Sequence, residues 1–258
     1  MIIYFTGTGN SLVVARRLGI KLAEPIISMY DALGMDLTHE KRIGLVYPTY
    51  ILNAPIAVQE MIPKLQLPTD AYVFIVITCG FMTHNAVWTV RKMLREKGIE
   101  VDYCNKIRFP DTAGPAYRRN PNKQIWKLDK YAPRLEEIAN EIAGGTHALH
   151  YAGFDPVAWL GWWSDVQREN WLNAFQPCVN AQKCVGCGLC SRICPQHNIA
   201  LRGNRAVIGK KCTNCLRCVH FCPHQALEFA GVMKATAVTK EYQYHHPDIC
   251  VQDFDREG

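Results

Sequence analysis

Cysteines carry the plainest chemistry in this chain. Of its twelve, eight fall into two runs of one design: Cys184, Cys187, Cys190 and Cys194 before Pro195, then Cys212, Cys215, Cys218 and Cys222 before Pro223. Both read Cys-x-x-Cys-x-x-Cys-x-x-x-Cys-Pro, and the second repeats the first 28 positions later, 184 to 212 and 194 to 222. Four thiolates around an iron–sulfur cube are readily drawn from such runs. One tight loop supplies three, and the cysteine before proline reaches the neighbouring cube. The spacing predicts two interlocked [4Fe–4S] clusters. One is held by Cys184, Cys187, Cys190 and Cys222, the other by Cys212, Cys215, Cys218 and Cys194. Zinc favours two separated Cys-x-x-Cys pairs, without a third cysteine or a trailing proline. A disulfide framework suits short secreted chains. Neither fits as well.

Composition sets the bounds. A chain of 258 residues holds one large or two modest domains. Its 48% hydrophobic and 20% charged residues are those of an ordinary soluble globule. The opening MIIYFTGTGN has no basic leader with a long apolar stretch behind it, so no signal peptide is expected. No apolar run of about eighteen residues occurs, so no membrane span is expected. Unpaired thiols and oxygen-sensitive clusters point to a reducing, cytoplasmic setting. The formal charge of +6 would suit a nucleic-acid binder. Two oxidised clusters with eight thiolates bring about −4, and a cofactor phosphate, argued next, about −2. The basic excess therefore balances bound anions, and no nucleic-acid partner is expected.

The elements that must position this chemistry begin with Met1–Phe5, an apolar run of buried-strand length. Thr6-Gly7-Thr8-Gly9-Asn10-Ser11 follows, then the helical pattern 12–18. Strand, glycine- and hydroxyl-rich loop and helix start together make an anion site, where backbone N–H groups and the helix dipole face the ligand. The loop is no Walker motif, lacking Gly-Lys-Ser/Thr, and Leu12 stands where a dinucleotide fingerprint needs its third glycine. A phosphate monoester suits its hydroxyls, while a tight turn capped by Ser11 is the plainer alternative. Further apolar runs lie at 42–47, 71–77 and 99–109, with helical patterns at 55–65, 85–97 and 126–142. Alternation of this kind predicts a doubly wound parallel sheet, read here as five-stranded. Three loops leave its strand ends where ligands bind in such sheets: Thr6–Ser11, Pro48-Thr49-Tyr50-Ile51-Leu52-Asn53 and Thr78-Cys79-Gly80-Phe81-Met82-Thr83.

On these residues the first half resembles a flavodoxin, Thr6–Ser11 matching that family's hydroxyl–x–Thr–Gly–Asn–Thr/Ser phosphate loop. The resemblance implies bound FMN, with the ring between the loops at 48–53 and 78–83. Joined to the cysteine repeat, a small α+β two-cluster ferredoxin-like domain, the chain resembles the flavodoxin–ferredoxin fusion proteins of anaerobic microbes. The loop at 78–83 departs from simple flavodoxins in lacking an acidic residue, which leaves less charge to oppose an anionic reduced flavin. The expected organisation is a flavin domain over 1–145, a helical linker over 146–180, the cluster domain over 181–230 and a tail over 231–258.

Other segments are less eloquent. Pro110–Gln124 is either a solvated loop or a lid whose Tyr117, Arg118 and Arg119 face an anionic substrate or partner. Asp155-Pro156 opens a helix expected to reach Phe175, carrying Trp159, Trp162, Trp163 and Trp171. Asp165, Arg168 and Glu169 give it no strongly basic face, so packing between domains is expected ahead of membrane contact. The tail's His245-His246 pair reads as part of a docked surface strand, with metal ligation or proton donation as the alternative. Cys79, Cys104, Cys178 and Cys250 are expected to be idle thiols, with Cys79 nearest the ring.

A flavin handles two electrons and a cluster one, so a chain carrying both converts between them. The expected function is an FMN- and iron–sulfur-dependent oxidoreductase passing electrons among a low-potential redox protein, the clusters and FMN. A reductase of a small organic substrate held over the flavin is the alternative, and a walled cavity lined by Phe81, Trp88 and the 110–120 loop would favour it. A redox or iron sensor is the third. No nicotinamide site is evident.

Overall fold

The computed structural model describes residues 1–113, 120–160, 173, 175–229 and 238–254. The chain divides into two units. The first comprises Met1–Thr6, Asn10–Phe109 and Trp126–Gly161; the second comprises Gly7–Gly9, Pro110–Ile125 and the described part of Trp162–Gly258.

Ile2-Ile3-Tyr4 has no polar face, and a strand of that kind must be covered on both sides. It forms β1 (Ile2–Tyr4), inside a sheet of order β2-β1-β3-β4-β5-β6. The partners are β2 (Ile26–Ser28), β3 (Arg42–Pro48), β4 (Tyr72–Cys79), β5 (Tyr103–Arg108) and β6 (Ala148–Leu149), and every pairing is parallel. The order 2-1-3-4-5 is the flavodoxin-like winding, which reverses direction beside β1. The sheet has six strands rather than the expected five. The four apolar runs named from the sequence supply β1, β3, β4 and β5. The remaining strands were too short to show a period, β2 having three residues and β6 two, the latter pairing only with Tyr103 and Cys104.

Helices α1 (Asn10–Leu22), α2 (Ile56–Met61), α3 (Ala86–Arg95) and α4 (Lys127–Ala143) connect the strands. Helix α1 packs on α4 and β3, burying Leu12, Val14, Ala15 and Leu18. The pattern expected over 55–65 divides at Ile62, where Pro63 turns the chain into one 3-10 turn, Ile62–Lys64. Helix α5 (Pro156–Leu160) begins as expected, with the Asp155 carboxylate accepting the Val157 N–H at 3.0 Å. The expected continuation with Trp162, Trp163 and Trp171 lies outside the described residues, as do Tyr117, Arg118 and Arg119. Among the described residues no helix is long and apolar enough to cross a membrane.

In the second unit β7 (Pro177–Val179) pairs antiparallel with β10 (Leu227–Phe229), and β8 (Ile199–Arg202) with β9 (Arg205–Ile208). Helices α6 (Leu189–Arg192) and α7 (Arg217–Phe221) touch each other. The described tail has 3-10 turns at Lys240–Tyr242 and Val251–Phe254 and no strand. It docks at the surface, with Tyr244, His246 and Ile249 turned inward and His245, Pro247 and Asp248 exposed. His246 is buried, and His245 stacks on Phe221 with ring centroids 4.6 Å apart. His220 anchors it: the ring accepts the Tyr244 N–H at Nδ1 (3.0 Å), and Nε2 lies 2.8 Å from the Thr112 carbonyl. That carbonyl can only accept, so the ring is the neutral Nε2–H tautomer. Burial holds its pKa down to about 4, consistent with neutrality.

Candidate cofactor sites

The eight cysteines gather into two groups of four, each drawing on both runs. One cavity is lined by Cys184, Cys187, Cys190 and Cys222, and a second by Cys194, Cys212, Cys215 and Cys218. The remaining walls are largely apolar, with Leu189, Leu201 and Leu227 in the first and Ile199, Ile208 and Leu216 in the second. The exchange of fourth cysteines follows from topology. Each Cys-Pro segment leaves its own loop after a one-turn helix, and α6 and α7 lie side by side.

Thiol electrostatics mark the same groups. Burial first, then the neighbouring Cys222, Cys187 and Cys184, push Cys190 up to about 11. Burial raises Cys215 to about 12 against the pull of Arg217, with Cys212 and Cys194 adding to the rise. Burial also drives Cys218 well above the ordinary thiol range, helped by Cys215, Cys212 and Cys194 and least by Cys190 of the other group. Several thiolates in so dry a site need a compensating cation, and binding of a metal deprotonates them. Among the described residues no group of three or more His, Cys, Asp or Glu side chains converges on a single-ion position. Instead, the sulfurs surround cavities. In residue type, number and apolar lining these fit iron–sulfur cubes.

The repeat extends into the backbone. Gly186 and Asn214 occupy equivalent positions with φ of 70° and 54°, and Gly188 and Leu216 with 77° and 58°. After each Cys-Pro, His197 and Gln225 are left-handed too, at 47° and 48°. These turns aim N–H groups at sulfur: Asn198 N–H at Cys194 Sγ (3.4 Å) and Ala226 N–H at Cys222 Sγ (3.3 Å). Hydrogen bonds of this kind tune cluster potentials. A Cβ on Gly186 would lie 2.7 Å from the Asn204 carbonyl oxygen, whereas one on Gly188 meets only Leu201 Cδ1 at 3.4 Å. We therefore expect Gly186→Ala to lower the iron content of purified protein far more than Gly188→Ala, both having paid the left-handed cost of about 1 kcal/mol. Equal iron in the two variants would contradict this.

Arg217 escaped the sequence reading. It is 1% exposed, donates to the Ile193 carbonyl at 3.1 Å and lies 4.0 Å from the Phe254 ring centroid. It lines the second cavity, while the equivalent residue of the first repeat is Leu189. One cavity thus has a fixed positive charge that the other lacks, a difference visible only when the repeats are laid over each other.

The phosphate-type loop turns from β1 into α1 as expected. Thr6, Thr8, Asn10 and Ser11 are all buried, and the first turn of α1 carries no acid to compete with an anion. Gly9 has φ of 95°, and its Cβ position is filled by Ile249 atoms. The His246 N–H donates to the Thr8 carbonyl at 2.9 Å. Ser11 Oγ lies 2.8 Å from Thr78 Oγ1, joining the first expected flavin loop to the third.

The second loop, Pro48–Asn53, closes on itself: Tyr50 and Asn53 exchange backbone hydrogen bonds, both 2.9 Å. Ile51 and Leu52 at its tip have φ of 45° and 66°. Two bulky residues in that region are strained by about 1–3 kcal/mol each, a feature concentrated at ligand sites. Asn53 Oδ1 accepts from Thr89 Oγ1 at 2.7 Å, bracing the turn on α3. Thr49 Oγ1 is buried with no hydrogen-bond partner among the described residues, which suits a site completed by a polar ligand.

In the third loop Thr78 and Cys79 end β4, and Gly80 accepts from Lys127 Nζ at 2.7 Å. Phe81 is 65% exposed beneath Arg108, and Trp88 packs instead on Phe154 at 4.9 Å. These loops fit the phosphate and ring of FMN in donor type and position on the sheet. Of the other thiols, Cys104 donates to the His150 carbonyl at 3.0 Å and is pushed by burial up to about 12, which disfavours the reactive thiolate. Cys250 donates to the Asp253 carboxylate at 3.2 Å.

Residues 176–223 match the family model of the 4Fe-4S dicluster domain. No curated protein sequence matches the chain. Among solved structures it is similar to a flavodoxin from the domain Archaea, at 14% identity over 54% of this chain and 96% of that chain, TM-score 0.36. It is also similar to two-electron reduced Megasphaera elsdenii flavodoxin, at 14% identity over 41% of this chain and 82% of that chain, TM-score 0.33. Strand order rather than these scores carries the fold assignment. The chain joins a flavodoxin-like α/β domain to a ferredoxin-type dicluster domain.

Proposed function

We propose that this protein is an FMN- and iron–sulfur-dependent oxidoreductase. It passes electrons between a low-potential one-electron donor protein, two [4Fe–4S] clusters and FMN, converting between one- and two-electron transfer. One observation carries the reading: eight cysteines line two separate cavities, four to each, in a chain whose other domain has the flavodoxin-like strand order. When bound, the clusters supply one-electron steps and the flavin two-electron chemistry.

The chain's own residues do the rest. Cys184, Cys187, Cys190 and Cys222 would hold one cluster, and Cys212, Cys215, Cys218 and Cys194 the other. Largely apolar walls surround both, and the Asn198 and Ala226 N–H groups bond to sulfur. Thr6–Ser11 and the start of α1 would bind the FMN phosphate, with Pro48–Asn53 and Thr78–Phe81 beside the ring. The domain limits we propose are 1–145, 146–180, 181–230 and 231–258.

The test is anaerobic purification with iron, sulfide and flavin analysis, then reductive titration followed by absorbance. We expect about eight irons and one FMN per chain, with flavin and clusters bleaching together under a low-potential protein donor and only slowly under NADH or NADPH. Protein without iron or flavin after reconstitution would overturn the reading, and prompt bleaching by NADH would overturn the choice of donor.

A further inference from the structure

One cavity of the first unit belongs to neither expected cofactor. It holds about 360 Å³ and lies between the last residues of β5 and the first turns of α4. Lys106 and Arg108 stand on the strand side, with Lys127, Lys130 and Arg134 on the helix side. No acidic side chain among the described residues lines it. Among the described residues, Lys106, Arg108 and Lys130 form no ion pair, while Arg134 meets Glu137 at 2.7 Å and also donates to Asn105 Oδ1 at 3.0 Å. Lys127 donates hydrogen bonds to the Gly80 and Phe109 carbonyls at 2.7 and 3.2 Å.

Cations on the two walls of one cleft converge, whereas on a flat surface they would spread apart. Their mutual repulsion grows as the cleft excludes water. Aromatic rings keep them in place: Lys106 Nζ is 4.0 Å from the Tyr151 ring centroid and Lys130 Nζ 5.2 Å from that of Trp126. The location suits a ligand, since doubly wound sheets bind theirs at strand carboxyl ends. The edge of β5 is open there because β6 pairs only with Tyr103 and Cys104. The volume is that of a small-molecule site. Lysine point charges with an arginine fork are the usual partners of phosphate, and Trp126, 52% exposed, adds an apolar surface for an organic body.

We propose that this cleft binds a nucleoside phosphate carrying two or more negative charges, with Lys106, Arg108 and Lys130 on the phosphates and the side of Trp126 against the base. The site is independent of the phosphate loop at 6–11 and of the clusters.

Calorimetric titration of the flavin- and cluster-loaded protein with ADP tests it, the FMN site being filled throughout. We expect saturable binding of one ADP in the micromolar range, weakening as salt is raised. An Arg108→Gln/Lys130→Gln variant should bind at least about tenfold more weakly. Its iron content and thermal transition should stay at wild-type values, which establishes that it is folded. Adenosine should not bind. No heat with ADP up to about 1 mM, equal affinity in the folded variant, adenosine binding as tightly as ADP, or pyrophosphate matching ADP would each overturn the proposal.

Discussion

Cys222→Ala should remove about half the iron, from roughly eight to roughly four atoms per chain. Cys190→Ala/Cys222→Ala should remove no more than that. The two cysteines sit in different runs yet line one cavity, and Cys222 is among the charged neighbours that raise Cys190. Residues serving one cluster act as a unit, so their losses overlap rather than add. Cys218→Ala/Cys222→Ala, by contrast, takes two cysteines of the same run and should abolish both clusters. If each run instead held its own cluster, the two double variants would exchange outcomes. Iron and sulfide analysis of anaerobically reconstituted protein decides between them.

Gly9→Ala should cost the protein its flavin. With φ at 95°, a side chain at this position is strained by about 1–2 kcal/mol, before any contact is counted. The new Cβ would also lie 2.6 Å from Ile249 Cγ1 and 2.8 Å from Ile249 Cβ. The second of these atoms is fixed to the backbone, so rotating the isoleucine side chain cannot relieve the overlap. Either the loop or the tail must move. We expect FMN affinity to fall at least about tenfold, measured by fluorescence titration of flavin-free protein. Iron content should remain as in the wild type. Adding Ile249→Ala should restore part of the affinity, since it removes the clash and leaves the φ penalty. Wild-type FMN binding by Gly9→Ala would contradict the role given to this loop.

Much of this was legible in the sequence because it depends on short-range spacing. Three cysteines on one loop, a proline after the fourth and the glycine-hydroxyl stretch after Phe5 state local geometry directly. Central strands β3 and β4 were readable because both faces are buried, which demands an unbroken apolar run. The edge strands were not. Ile26–Ser28 and Ala148–Leu149 become strands only because a neighbour offers hydrogen bonds, and two or three residues carry no period of their own. The tail was expected as a docked surface strand. It docks through Tyr244 and His246, but its described residues form 3-10 turns and no strand, because its backbone bonds to His220 and Thr8 rather than to a neighbouring strand.

The amino-acid sequence by itself determined the kind of chemistry available. Thiolate number and spacing, and a hydroxyl-rich loop at a helix start, are properties of consecutive residues. Only the tertiary structure decided that Arg217 lies beside one cavity alone, and that five cations from β5 and α4 face a common cleft. These are relations between residues far apart along the chain. Charge and burial act through space, so they take a value only after the backbone has brought those residues together.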